Sequence, residues 1–131
     1  MNSLINRSGK EPIMHKLSKI FTFEAAHQLP HVPPGHKCGR LHGHSYRLEI
    51  IIMGNADEEQ GWVMDFGAIK NPLQPILEIL DHNYLNEIPG LENPTSENIA
   101  QWIWERLKPE LPLLNEIIIS ETATSFCSYR G

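Results

Sequence analysis

Two imidazoles stand two residues apart in His42-Gly43-His44, within a chain that has 7 histidines in 131 residues. In an extended strand, side chains at that spacing point to one side, so both rings can reach a single ion, with the glycine leaving room between them. His27, at the end of an earlier alternating stretch, is a third candidate if that stretch lies beside the His42 strand. Three neutral imidazoles suit zinc at about 2.0–2.1 Å and leave a fourth position for substrate or water. Any one such histidine alone reads as part of a polar surface; the three together favour metal binding. Cys38 precedes His42 in the polar run His36-Lys37-Cys38-Gly39-Arg40. It can act as a fourth ligand or a catalytic thiol, and the plain alternative is a small buried hydrophobe. Lys37, Arg40 and a bound cation would favour its thiolate.

Asp81-His82 can form a proton-transfer pair in which the carboxylate fixes the imidazole tautomer. The alternative is a capping aspartate beside a surface histidine, because adjacency in sequence is not a hydrogen bond. Glu121 shares strand parity with Ile117 and Ile119 and points inward if they do. A buried carboxylate needs partners, which the guanidine-like edge of a ligand would supply; a strand-end glutamate reaching water needs none. Cys127 sits in a strand pattern and reads as packing. Trp102 and Trp104 do not share a helix face, and Gly35, Gly39 and Gly43 do not make a phosphate-cradling loop opening a helix.

These side chains must be positioned by a small set of elements. Leu17, Lys19, Phe21, Phe23, Ala25 and His27 alternate, which predicts a strand over 17–27. Pro30, Pro33, Pro34, Gly35 and Gly39 mark a loop, and a second alternating run predicts a strand over 42–53. A turn over 54–61 follows. Asp65 is placed to cap a helix running to about Leu80, with a kink or late start expected from Pro72 and Pro75. Residues 81–93 read as a loop. Thr95 is placed to cap a second helix, with Glu97 in its first turn and an Ile99, Ile103, Leu107 stripe ended by Pro109. Strands are expected over 117–122 and 125–130. The order is β-β-α-α-β-β, an α+β domain over 17–131, preceded by a flexible tail over 1–16.

Composition bounds the function. With 40% apolar and 21% charged residues, the chain reads as one globular domain. A formal net charge of −5 and the lack of a basic block argue against nucleic-acid and membrane-surface partners, while a local basic pocket for a phosphorylated metabolite stays open. Two cysteines do not make a disulfide scaffold, and nothing resembles a secretion signal, so a cytoplasmic protein is expected.

Taken together, Phe21-Thr22-Phe23-Glu24-Ala25-Ala26-His27, Cys38-Gly39-Arg40-Leu41-His42-Gly43-His44, Leu80-Asp81-His82, Asn93-Pro94-Thr95-Ser96-Glu97 and Glu121-Thr122 resemble the 6-pyruvoyltetrahydropterin synthase family. The likeness runs from about Leu17 to Gly131. The short Cys38-to-His42 spacing, Leu29-Pro30-His31-Val32-Pro33 and His82-Asn83-Tyr84-Leu85-Asn86 look like its bacterial carboxytetrahydropterin-forming branch. The resemblance implies a tunnelling fold: a four-stranded antiparallel sheet with two helices on one face, assembled into homo-oligomers built from trimers, often stacked in pairs as hexamers, with sites at subunit interfaces. It implies one zinc per subunit on His27, His42 and His44, with Cys38 as base and Asp81 and His82 as the second proton-transfer element. It also implies that Glu121 anchors a pterin ring touched by Thr95 and Ser96. The implied reaction converts 7,8-dihydroneopterin triphosphate to 6-carboxytetrahydropterin with loss of triphosphate and acetaldehyde, towards queuosine. Lys37, Arg40 and Arg130 are candidates to neutralise the triphosphate, and the sequence does not select among them. A pyruvoyl-forming enzyme with the same metal site and a non-catalytic zinc- or pterin-binding module are the competing readings.

Overall fold

Strands β1 (Met14–His27) and β2 (His42–Asn55) pair antiparallel along their whole length, with Met14 opposite Asn55 and His27 opposite His42. The computed structural model that shows this describes residues 14–131. After β2 come helix α1 (Gly67–Leu80), a two-residue strand β3 (Asn83–Tyr84), helix α2 (Ser96–Leu107), and strands β4 (Leu114–Ser120) and β5 (Phe126–Tyr129). The sheet order is β3-β1-β2-β4-β5. All neighbours run antiparallel except β3, which lies parallel to β1.

Period-two patterning decides which way the sheet faces. Phe23, Tyr46, Leu48, Ile50, Ile52, Ile117 and Ile119 are buried on one side. They join a single core with Ile69, Leu73, Ile76 and Leu80 of α1 and Ile99, Ile103 and Leu107 of α2. Each fully buried aliphatic side chain of this kind contributes about 1.5–3 kcal/mol, so the helices are held to one face of the sheet. The other face carries carboxylates bonded to serines: Glu24 to Ser45, Glu49 to Ser18 and Glu116 to Ser128. The α+β class is therefore as expected, and so are the two helices on one face that the family resemblance implied.

Several elements differ in extent from the sequence reading. Among the described residues the sheet has five strands rather than four, because Asn83 and Tyr84, in the stretch read as a loop, pair with the outer edge of β1 at Ala25 and Ala26. Two residues are too few to show a period. Strand β1 begins at Met14, so residues 14–16 belong to the sheet and not to a tail; Met14, His15 and Lys16 find partners in Asn55, Gly54 and Met53 although their side chains are exposed. The rest of the expected tail lies outside the described residues. Strand β4 covers 114–120 rather than 117–122, which leaves Glu121 just beyond its end.

Helix α1 starts at Gly67, whose N–H donates to Asp65 Oδ1 at 3.0 Å, and it runs unbroken past Pro72 and Pro75. The two prolines deprive the Ala68 and Asn71 carbonyls of their helical donors. Both residues are exposed, so water replaces what is lost. Thr95 caps α2 as expected, accepting from the Asn98 N–H at 3.2 Å. No helix among the described residues is long and apolar enough to cross a membrane.

Candidate metal centre

The β1–β2 register places His27 across from His42 and Ala25 across from His44. With the shared parity of the strands, all three rings stand on the helix-covered side, at the end of the sheet where the core gives way to solvent. Their ligand nitrogens lie within 4.8 Å of one another. Ring centroids are 4.5 Å apart for His27 and His42, 5.0 Å for His27 and His44, and 4.9 Å for His42 and His44. Gly43 does not space the rings. A Cβ there would come within 3.3 Å of the Ala25 carbonyl, so the glycine lets β1 and β2 close on each other where the ligands sit.

Hydrogen bonds assign the tautomers. His27 is only 1% exposed, and its Nδ1 is 2.8 Å from the Pro94 carbonyl oxygen. A carbonyl can only accept, so Nδ1 carries the proton and Nε2 keeps its lone pair. His42 Nδ1 donates in the same way to the Arg40 carbonyl at 2.7 Å. The two Nε2 atoms then face each other at 3.0 Å with lone pairs towards one another, a repulsive contact unless a cation lies between them. His44 Nε2 is buried with no hydrogen-bond partner among the described residues. Two opposed lone pairs and one orphaned buried nitrogen are what a metal would satisfy, and two nitrogens about 2.0–2.1 Å from one ion can sit 3.0 Å apart. The donor set fits a divalent metal.

Burial pushes the His27 and His44 pKa values below the ordinary 6.5, against the opposing charge of Glu121. Both rings are therefore neutral and ready to ligate at pH 7. The neutral form is favoured in the folded state, so the unfolded chain takes up protons first on acidification. The stabilisation is fully present above pH 6.5 and is lost as pH falls through the depressed folded values. Metal-free protein is expected to lose urea stability between pH 7 and pH 5, and a His27→Gln variant to lose less over the same range. Equal losses in the two would remove His27 from this role.

Glu121 reaches the cluster from beyond β4. Its Oε2 is 3.7 Å from His44 Nε2, and its Oε1 accepts from Ser96 Oγ at 2.8 Å. It is neither a buried strand residue nor a purely solvent-facing one. With Ser96, Glu97, Ser125, Phe126 and Cys127 it lines a cleft of about 310 Å³. Cys127 thus borders this cleft as well as packing, with burial and then Glu97 pushing its thiol up. Thr95 spends its hydroxyl on the helix cap, while the residue before it supplies the carbonyl that orients His27.

Asp81 and His82 are hydrogen-bonded, Oδ2 to Nδ1 at 2.9 Å. Asp81 Oδ1 also accepts from the Glu24 N–H, while the His82 N–H donates to the Glu24 carbonyl. The Glu24 N–H, and then His82, hold the Asp81 carboxyl below its ordinary value. His82 adopts a left-handed backbone with φ 59°, which a non-glycine residue keeps only when its surroundings impose it. This pair does not join the imidazole cluster within the chain. His82 borders a cleft of about 480 Å³ that Glu24, Ser45 and the clustered His44 also line. Cys38 lies on a 3-10 turn (Lys37–Gly39), half-buried, and is not one of the clustered ligands, so it is no fourth ligand to that group.

Sequence reasoning missed Tyr46, whose hydroxyl is 3.2 Å from His27 Nδ1 and whose pKa is raised by burial and by Glu121. Its parity with His42 and His44 was the available signal. The Pro94 and Arg40 carbonyls carried none, since a main-chain acceptor can belong to any residue.

The family model described as 6-pyruvoyl tetrahydropterin synthase matches residues 16–131. A 6-carboxy-5,6,7,8-tetrahydropterin synthase of Synechocystis sp. is 46% identical over 117 residues, covering 85% of this chain and 89% of that protein. A dihydroneopterin monophosphate aldolase of Pyrococcus furiosus is 40% identical over 91 residues, covering 70% and 73%. The Caenorhabditis elegans 6-pyruvoyl tetrahydropterin synthase structure superposes with a TM-score of 0.84 at 26% identity, covering 92% of this chain and 97% of that one.

Proposed function

The chain belongs to the 6-pyruvoyl tetrahydropterin synthase family, and from that premise we propose that it is a zinc-dependent carbon–carbon lyase. In this reading it turns 7,8-dihydroneopterin triphosphate and water into 6-carboxy-5,6,7,8-tetrahydropterin, acetaldehyde and triphosphate, the water supplying the second carboxyl oxygen, on the way to queuosine in the cytoplasm. The carrying observation is the pair of opposed His27 and His42 lone pairs beside the orphaned His44 nitrogen, with a carboxylate 3.7 Å away. The Synechocystis relative favours the carboxy-forming reaction over its neighbours in the family.

His27, His42 and His44 would hold the zinc through Nε2. When bound, the metal supplies Lewis-acid polarisation of the substrate's side-chain oxygens. Glu121, already oriented by Ser96, accepts from the ring's 2-amino and N3 donors and so fixes the pterin's direction. Cys38 takes a proton from the side-chain carbon. His82, held by Asp81 through Nδ1, presents Nε2 to return a proton to the substrate. Because Cys38 and the Asp81–His82 pair are not members of the imidazole cluster, a second copy completes the site in this reading. The open edges at β3 and β5 are where copies would pair, building trimers and hexamers by strand addition and removing the exposed edges.

The test is product analysis after incubating the zinc-loaded protein with 7,8-dihydroneopterin triphosphate. Acetaldehyde with triphosphate and 6-carboxytetrahydropterin is the expected outcome. Triphosphate with a pyruvoyl pterin and no acetaldehyde would assign the pyruvoyl-forming reaction, the activity in the Caenorhabditis elegans protein's name. Zinc and pterin binding without any elimination would make the chain a binding module.

A further inference from the structure

We propose that Gln28 and Asn86 are positioning residues that hold the Cys38 turn in register with both the metal-bearing strand and the Asp81–His82 segment. The functional half of this rests on Cys38 acting as the base. The turn is held at three points. The Leu29 N–H donates to the Cys38 carbonyl at 2.9 Å, Gln28 Nε2 donates to the Gly39 carbonyl at 2.7 Å, and His36 Nδ1 accepts from the Cys38 N–H at 3.0 Å.

Gln28 is itself clamped. Its N–H donates to Asn86 Oδ1 at 2.9 Å, and its carbonyl accepts from Asn86 Nδ2 at 2.7 Å. Tyr84 adds a hydroxyl 3.4 Å from Gln28 Oε1. The strand pairing of β3 with β1 stops at Ala26 and Tyr84, and the Asn86 amide resumes it through a side chain, matching both main-chain groups of Gln28.

The three segments that carry chemistry meet in this network. Gln28 directly follows His27, its side chain holds the turn of Cys38, and Asn86 closes the short stretch that begins at Asp81-His82. None of the three bonds on the turn involves a charged side chain, so each is of ordinary strength and the network works by number and direction. Proton abstraction tolerates little displacement: a shift of about 1 Å in a reacting group lowers a rate about 10²-fold.

The experiment compares wild type, Asn86→Ala, Asn86→Asp and Gln28→Ala, all zinc-loaded. In Asn86→Ala the Leu29 amide should exchange with solvent about tenfold faster. Its kcat should fall roughly 10- to 100-fold, with KM within about twofold and metal content unchanged. Asn86→Asp keeps the acceptor and loses the donor, so it should fall between wild type and alanine on both readouts. Wild-type exchange at Leu29 in Asn86→Ala overturns the proposal whatever the activity, and so does a kcat loss that tracks metal loss. If Asn86→Ala does not fold, Asn86→Asp and Gln28→Ala carry the same comparison. Absence of turnover in wild type would overturn the lyase reading instead, and the exchange data would then decide the network alone.

Discussion

Replacing His42 with alanine is expected to leave a folded chain that no longer retains metal. Two nitrogens remain in the cluster, and the His27 Nε2 that faced His42 at 3.0 Å loses its nearest co-ligand. Removing an outer partner of a metal ligand lowers affinity about 10–100-fold, and removing a ligand exceeds that. Metal content measured by mass spectrometry should fall from about one per chain to near none. Turnover should drop at least about 10³-fold, because several kcal/mol of charge stabilisation leave with the ion. The fold should survive, since His42 sits at a strand end, half-exposed, outside the apolar core. A second consequence separates this account from a purely structural one. Without metal, the wild-type chain keeps two lone pairs opposed, so metal-free His42→Ala should be no less stable to urea than metal-free wild type. Full metal occupancy in the variant would remove His42 from the ligand set.

Cys38→Ala is expected to do the converse. The sulfur is not among the clustered ligands, so metal content should match wild type. Pterin affinity should also hold, because Glu121 and Ser96 lie on other elements. The rate should fall about 10²–10⁴-fold, the range a positioned general base contributes. Thermal stability should change little, as the thiol is half-buried on a loop and the turn is held through main-chain groups that alanine keeps. Full activity in Cys38→Ala would end its assignment as the base. A variant that lost metal and activity together would make Cys38 a ligand after all, reached in the assembled state.

The two variants divide the site along a line that also separates what was legible in the chain from what was not. Parity along a strand is a local property. Leu48, Ile50 and Ile52 had to face one way with His42, His44 and Tyr46, and the residues themselves say so. The Thr95 cap and the Ile99, Ile103, Leu107 stripe are equally local, and both stand in the structure as read. Boundaries were less secure. Strand β3 is set by an empty edge of β1 rather than by its own two residues. Helix α1 keeps Pro72 and Pro75 because the carbonyls they strand are exposed.

By itself the sequence determined the class of the fold and the face that the imidazoles share, because each follows from periodicity within a few residues. Tertiary structure alone decided the rest. It set His27 opposite His42, recruited the Pro94 and Arg40 carbonyls to fix two tautomers, and carried Glu121 from past the end of β4 to within 3.7 Å of His44. It also placed His82 on a cleft that His44 lines as well, although His82 is not a member of the imidazole cluster. Those outcomes depend on strand register, on main-chain groups common to every residue, and on contacts between segments far apart in the chain.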